Sequence, residues 1–201
     1  EPTAMLDPQG RADIMHILDE LQHHGTTIIL VTHHRDEFVN ADRVIRLDNG
    51  RIVQSARGNT ASIPEMDESD TAQEDNPIAK SNIANGVSKP TSAVPIIEIH
   101  NLIYQYPNSS KPVLDKLSIT INKGETVAIT GHNGAGKTTL ARLLCALEQP
   151  QSGNITINTI PVARQRANGN MQSLKRADRE KLRATIGYVM QHPERQLFAE
   201  T

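Results

Sequence analysis

The chain has 201 residues, enough for one substantial core or two small ones, yet only 37% of them are hydrophobic, so part of it is expected to lie outside any core. A formal charge of -2 argues against nucleic acid as the main partner, because phosphate neutralisation needs a clustered basic excess. The single cysteine, Cys145, rules out a disulfide framework within one copy and fits a reducing compartment, while no apolar run approaches the ~20 residues that span a bilayer.

Glu1 opens the sequence inside a recognisable motif, so the sequence is expected to be a piece of a longer polypeptide. From Pro8, Ile14, Ile17, Leu18 and Leu21 recur at helical spacing and Gly25 stands as a stop, which predicts a helix with one buried face. Residues 26–32, Thr-Thr-Ile-Ile-Leu-Val-Thr, form a short, apolar, β-branched run, the mark of a buried parallel strand. A polar stretch from His33 to Asn40 follows, then Arg43 to Leu47, the turn Asp48-Asn49-Gly50, and Arg51 to Gln54. Asn-Gly between two alternating runs predicts a hairpin.

The composition then changes. Ser, Thr, Asn, Pro and Gly accumulate, and Glu65 to Asp75 holds six acids and no base. Such a segment buries too little apolar surface to offset its ordering entropy, and residues 57–95 are expected to be a disordered linker. A new α/β region opens at Ile96. Ile96 to Tyr104 alternates like an edge strand, Leu117 to Ile121 follows the same pattern, and Lys123-Gly124-Glu125 reads as a turn. Thr126 to Thr130 is a continuous strand run leading into a glycine-rich loop, with helix expected over 138–147 and strand again from Gly153 to Ile157. Residues 159–172 read as an extended loop, 173–183 as helix and 185–190 as strand. The basic residues from Arg164 to Arg183, interrupted by Asp178 and Glu180 at helical spacing, read as a solvated face with ion pairs.

The glycine loop carries the chemistry. Gly131, Gly136, Lys137 and Thr138 fit the phosphate-loop spacing G-x-x-x-x-G-K-[ST] between a strand and a helix. Glycines let backbone N–H groups curl around a phosphate, and the following helix presents its positive end to the same anion. Lys137 is placed to bridge β- and γ-phosphates, and the Thr138 hydroxyl to ligate Mg²⁺.

The filling of the loop, Gly131-His132-Asn133-Gly134-Ala135-Gly136-Lys137-Thr138-Thr139, resembles the ATP-binding-cassette (ABC) ATPases. That resemblance implies the P-loop NTPase fold, an α/β architecture, with ATP and Mg²⁺ bound. Tyr106, before Pro107, resembles the aromatic that stacks on adenine in this family, with Tyr104 the less typical choice. Tyr188-Val189-Met190-Gln191 resembles the glutamine loop, in which Gln191 would complete the magnesium shell. Glu1-Pro2-Thr3-Ala4-Met5-Leu6-Asp7 resembles the end of the Walker B motif and the D-loop; Glu1 would polarise the attacking water and Asp7 would lie at the dimer seam. Leu30-Val31-Thr32-His33 resembles the switch-histidine loop, with His33 toward the γ-phosphate.

These motifs stand in an unusual order, since in one cassette the glycine and glutamine loops precede the catalytic glutamate and the switch histidine. The reading is two incomplete cassettes joined by the linker: residues 1–56 the end of a first ABC ATPase domain and 96–201 the start of a second. A circularly permuted single cassette is disfavoured because the signature Leu-Ser-Gly-Gly-Gln is absent from both parts. The run from Met190 to Thr201 and the phrase Ala4 to Arg11 are similar to the ATPases of energy-coupling-factor transporters and their cobalt-importer relatives. The resemblance implies a place on the cytoplasmic face of the cell membrane, held by a transmembrane coupling subunit and a substrate-binding membrane subunit, with the other cassette as dimer partner and no nucleic acid. Two alternatives stand beside it: a soluble tandem cassette protein acting on ribosomes, against which the acidic linker argues, and a nucleotide-binding fragment without turnover.

Overall fold

The computed structural model describes residues 8–32, 34–57 and 94–189. The expectations for Glu1, Asp7, His33 and Gln191, and for nearly all of the linker, lie outside the described residues. Helix α1, Pro8–His23, closes as its sequence implies. The Gly25 amide donates to the Gln22 carbonyl (2.8 Å) and the Thr26 amide to that of Leu21 (3.0 Å), while Gly25 takes φ +87°, a left-handed cap that glycine enters without a Cβ clash. The buried face is rotated from the expected one. Ile14 and Leu18 are half-buried as expected, but the face continues through Arg11, Met15 and Gln22, which leaves Ile17 and Leu21 on the flank at 50% and 44% exposure. Polar anchors fix this orientation: Arg11 Nε lies 3.7 Å from the Glu37 carboxylate, and Gln22 donates to Asp42 and to the Gly124 carbonyl.

Strand β1, Ile28–Val31, is followed by the short helix α2, Arg35–Phe38, strand β2, Arg43–Asp48, and strand β3, Arg51–Arg57. β2 and β3 form the expected antiparallel hairpin. Both β1 and β2 pair in parallel with β6, Thr126–Thr130, giving the order β1-β6-β2-β3. The segments read as parts of two cassettes therefore share one sheet, and both edges of β6 are taken by strands from the earlier segment. Burial explains why β6 occupies the centre. Val127 and Ile129 face the main core with Ile45 and Leu47, and Ala128 faces Phe38, Ala41 and Val44 on the other side, so the strand is covered on both faces as a parallel strand requires.

Polar contacts hold the same junction. Arg43 Nε lies 3.0 Å from Glu125 with both side chains almost fully buried. Burial lowers the Arg43 pKa while Glu125 acts to raise it. The Thr126 amide donates to Asp42 (2.8 Å) and the Gly124 amide to the Thr27 hydroxyl (2.9 Å).

The second sheet has the order β5-β4-β7-β8-β9, with β4 at Pro95–Tyr104, β5 at Leu114–Asn122, β7 at Ser152–Ile157, β8 at Ile160–Gln165 and β9 at Met171–Gln172. β4 is interior, between β5 and β7, not an edge strand; alternation reports that one face is solvated, which an inner antiparallel strand shares. The loop expected over 159–172 is largely strand. It follows a two-residue turn in which Asn158 and Thr159 take φ +46° and +68°, and neither residue is the glycine that usually marks such a turn.

Helix α3, Lys137–Leu144, ends three residues before the expected 147, where Ala146 turns left-handed at φ +54°. Helix α4, Arg176–Thr185, runs two residues past the expected end, with the Thr185 hydroxyl donating back to the Lys181 and Leu182 carbonyls. The strand expected from Thr185 is not formed: Ile186 is extended, but no described strand pairs with 186–189. The basic run is solvated as expected, with only Leu182 of α4 buried and Arg176 paired to Glu180 one turn on.

Candidate nucleotide-binding site

Because β1, β2 and β6 run in parallel, the segments that follow them leave the sheet at one end, where open α/β sheets place their ligands. The glycine loop follows β6 there and runs directly into α3 at Lys137. The first amides of a helix have no acceptor within it, so the α3 N-terminus presents donors and the positive end of its dipole toward the loop. Gly136 caps α3 in the left-handed region at φ +102°. A Cβ there would meet the Leu114 side chain at 2.7 Å and the Val113 carbonyl at 2.9 Å, and one on Gly131 would lie 2.3 Å from the Leu47 carbonyl. These two loop positions are glycine because other backbone already occupies the space.

The hairpin turn between β2 and β3 forms the underside of the loop. The Gly50 amide donates to the Ala135 carbonyl (3.2 Å) and the Asp115 amide to the Gly50 carbonyl (3.1 Å). His132 Nε2 lies 2.9 Å from the Asp48 carboxylate, and its Nδ1 lies 2.7 Å from the Asn133 carbonyl. Lys137 is buried, and its ammonium donates to the Gly131 (2.6 Å) and His132 (3.1 Å) carbonyls. A bound phosphate would replace these two oxygens as the partner of the ammonium. Thr138 is exposed at the first turn of α3, and Thr139 is buried.

Tyr106 stands beside this helix start. Its hydroxyl lies 3.1 Å from Thr139 Oγ1, the residue is 37% exposed, and its ring plane is near-perpendicular to that of Tyr104 at a centroid distance of 5.0 Å. Thr138, Thr139, Lys137, Tyr106 and the loop glycines are thus gathered around one helix end. On the sheet side, the turn after β1 is held by Thr32, which the sequence places in the switch-like loop, and by Glu37, which the sequence reading passes over. Thr32 donates to Glu37 at 2.6 Å in a buried bond, and the His34 amide donates to the Thr32 hydroxyl at 3.0 Å. Glu37 carries no sequence signal, since an acid in a polar stretch reads as surface. Tyr188 is half-buried and its phenol pKa is raised by burial. The Cys145 thiol is half-buried, and burial likewise raises its pKa.

The ABC transporter family model matches residues 114–201. The match covers less than half of the chain. The whole chain aligns at 42% identity with 29% of an ABC transporter ATP-binding protein of Bifidobacterium longum. A stretch covering 53% of the chain aligns at 41% identity with 34% of the energy-coupling factor transporter ATP-binding protein EcfA1 of Latilactobacillus sakei. Among solved structures, cbiO1 of Clostridium perfringens, part of the ABC transporter complex cbiONQ, is 32% identical and covers 52% of this chain and 38% of that one, with a TM-score of 0.43. The chain spans between 29% and 38% of the length of the first three relatives it matches. The matched segment begins at β5 and includes the whole glycine loop. No helix among the described residues is long and apolar enough to cross a membrane.

Proposed function

We propose that this chain binds ATP with magnesium at the glycine loop and is part of the ATP-hydrolysing subunit of an ABC importer of the energy-coupling-factor type. The observation that carries the proposal is the convergence of the Gly131–Lys137 loop, the N-terminus of α3 and the buried Lys137 ammonium at the outlet of a parallel sheet. In this reading the loop amides and Lys137 hold the phosphates, and Tyr106 supports the adenine. Thr138 offers a hydroxyl oxygen, the hard donor that Mg²⁺ prefers, with Gln191 as a second ligand. The ion, when bound, neutralises charge on the phosphate oxygens. Glu1 acts on the attacking water, His33 on the γ-phosphate, and Asp7 at the seam with the facing cassette.

By motif order, on this proposal, residues 1–56 correspond to the end of one cassette and 96–201 to the start of the next in a fused pair of ATPases, although in this structure their strands complete a single sheet. The alignment of the Bifidobacterium relative along the whole chain supports that order as a feature of longer proteins. The likeness to EcfA1 supports the energy-coupling-factor branch. Membrane coupling and substrate-binding subunits would then carry a vitamin or metal ion, with this chain peripheral on the cytoplasmic face and hydrolysis driving a conformational cycle.

Titration calorimetry with Mg²⁺ and ATP tests the site. Lys137→Ala is expected to weaken binding about 100-fold, the scale of losing a charge-assisted contact to phosphate. Equal affinity in the variant sinks the assigned pocket.

A further inference from the structure

The base platform proposed above, Tyr106, stands in the 105–113 connection between β4 and β5, outside any regular element, yet it is held on two sides. Its hydroxyl meets Thr139 in the first turn of α3. Its ring meets Tyr104, the last residue of β4, which is 4% exposed and paired in register with Leu114 of β5. The Tyr104 hydroxyl donates to Glu148 Oε2 at 3.0 Å. The other oxygen of Glu148 accepts from Arg142 Nη2 at 2.8 Å and Nε at 3.3 Å. Arg142 lies on α3 three residues after Thr139, so the chain of contacts closes on itself: Thr139, Tyr106, Tyr104, Glu148, Arg142 and back along the helix.

Protonation states suit the circuit. Burial, followed by the bond to Glu148, pushes the Tyr104 phenol up to about 12, so it remains a donor. The hydrogen bonds from Arg142 and then Tyr104 hold the Glu148 carboxyl below its ordinary range, so it remains an acceptor. A perpendicular neighbour covers at most one face of the Tyr106 ring and leaves the other for a flat ligand.

We propose that Tyr104, braced by Glu148 and Arg142, is a positioning residue that presets Tyr106 as the base platform of the nucleotide site. The inference rests on the ATP-binding reading and adds a division of labour to it. The circuit serves recognition of the base, whereas the glycine loop serves the phosphates. Presetting the ring removes the ordering cost that a mobile aromatic would add on binding.

The test compares two probes on the full chain, ATP and inorganic tripolyphosphate, each with Mg²⁺. Tyr104→Leu is expected to weaken ATP roughly three- to tenfold, the scale of losing an aromatic pair, and to leave tripolyphosphate unchanged. Glu148→Gln, at a partly exposed position where refolding is not at issue, is expected to shift ATP in the same direction by about twofold. The proposal is overturned if either variant leaves the ATP to tripolyphosphate affinity ratio at the wild-type value, whether both ligands hold or both weaken together. Lys137→Ala separates the two readings, because it is expected to weaken both probes. If Lys137→Ala weakens neither, the nucleotide site itself falls and the base platform with it.

Discussion

Two tight turns in this molecule have nearly the same backbone and opposite surroundings. Asn49-Gly50 joins β2 to β3 with φ of +46° and +75°, and Asn158-Thr159 joins β7 to β8 with φ of +46° and +68°. At the first, a Cβ on residue 50 would stand 2.2 Å from the Val113 carbonyl oxygen. At the second, Thr159 is exposed and its branched side chain projects into solvent. Left-handed strain alone therefore does not dictate glycine. What dictates it is the close approach of another backbone, and the crowded turn is the one that supports the phosphate loop.

Transplanting the Thr from the open turn to the crowded one is the strongest way to break that comparison. Gly50→Thr is expected to cost about 4 kcal/mol, combining left-handed strain for a β-branched residue with overpacking against Val113, read as a shift in the urea midpoint. Gly50→Ala keeps the clash and sheds the branching, so about 3 kcal/mol is expected, together with weaker ATP binding because the Ala135 contact moves with the turn. A Gly50→Ala protein as stable as wild type means that the turn yields without cost, and the crowding argument ends there. The reverse exchange, Thr159→Gly, is expected to change stability by less than about 1 kcal/mol, because relief of strain is offset by the greater freedom of glycine in the unfolded chain. A large effect at Thr159, in either direction, removes the contrast between the two turns.

The same contrast explains what could be read from the sequence. The glycine loop and the Asn49-Gly50 turn were legible because backbone crowding leaves only one residue type at Gly131, Gly136 and Gly50, and that restriction is written in the residue itself. The turn at Asn158-Thr159 tolerates side chains, so it left no mark, and β8 and β9 were missed with it. Helices α1 and α3 and strands β1, β6 and β7 followed from apolar spacing. The supports of the site were not legible for a different reason. Glu148 reaches Tyr104 across 44 positions, and Glu37 is buried where α2 packs against Arg11 of α1 and Thr32 at the end of β1. Nothing in the local pattern of either acid separates it from a surface residue. The pairing of β1 and β2 with β6 was likewise hidden, since apolar runs announce strands but not their neighbours, and the order of the motifs pointed to separate domains.

That pairing sets a schedule for synthesis. Thr27 and Gly124, bonded at the junction, are 97 positions apart, so at roughly 5–20 residues per second the ribosome needs about 5–20 s to deliver β6 after β1 has been made. During that interval β1 and β2 hold apolar side chains with their future neighbour still untranslated. A delay of this kind favours slow, late closure of the sheet. The phosphate loop would thus take its shape only after the earlier strands have waited for it.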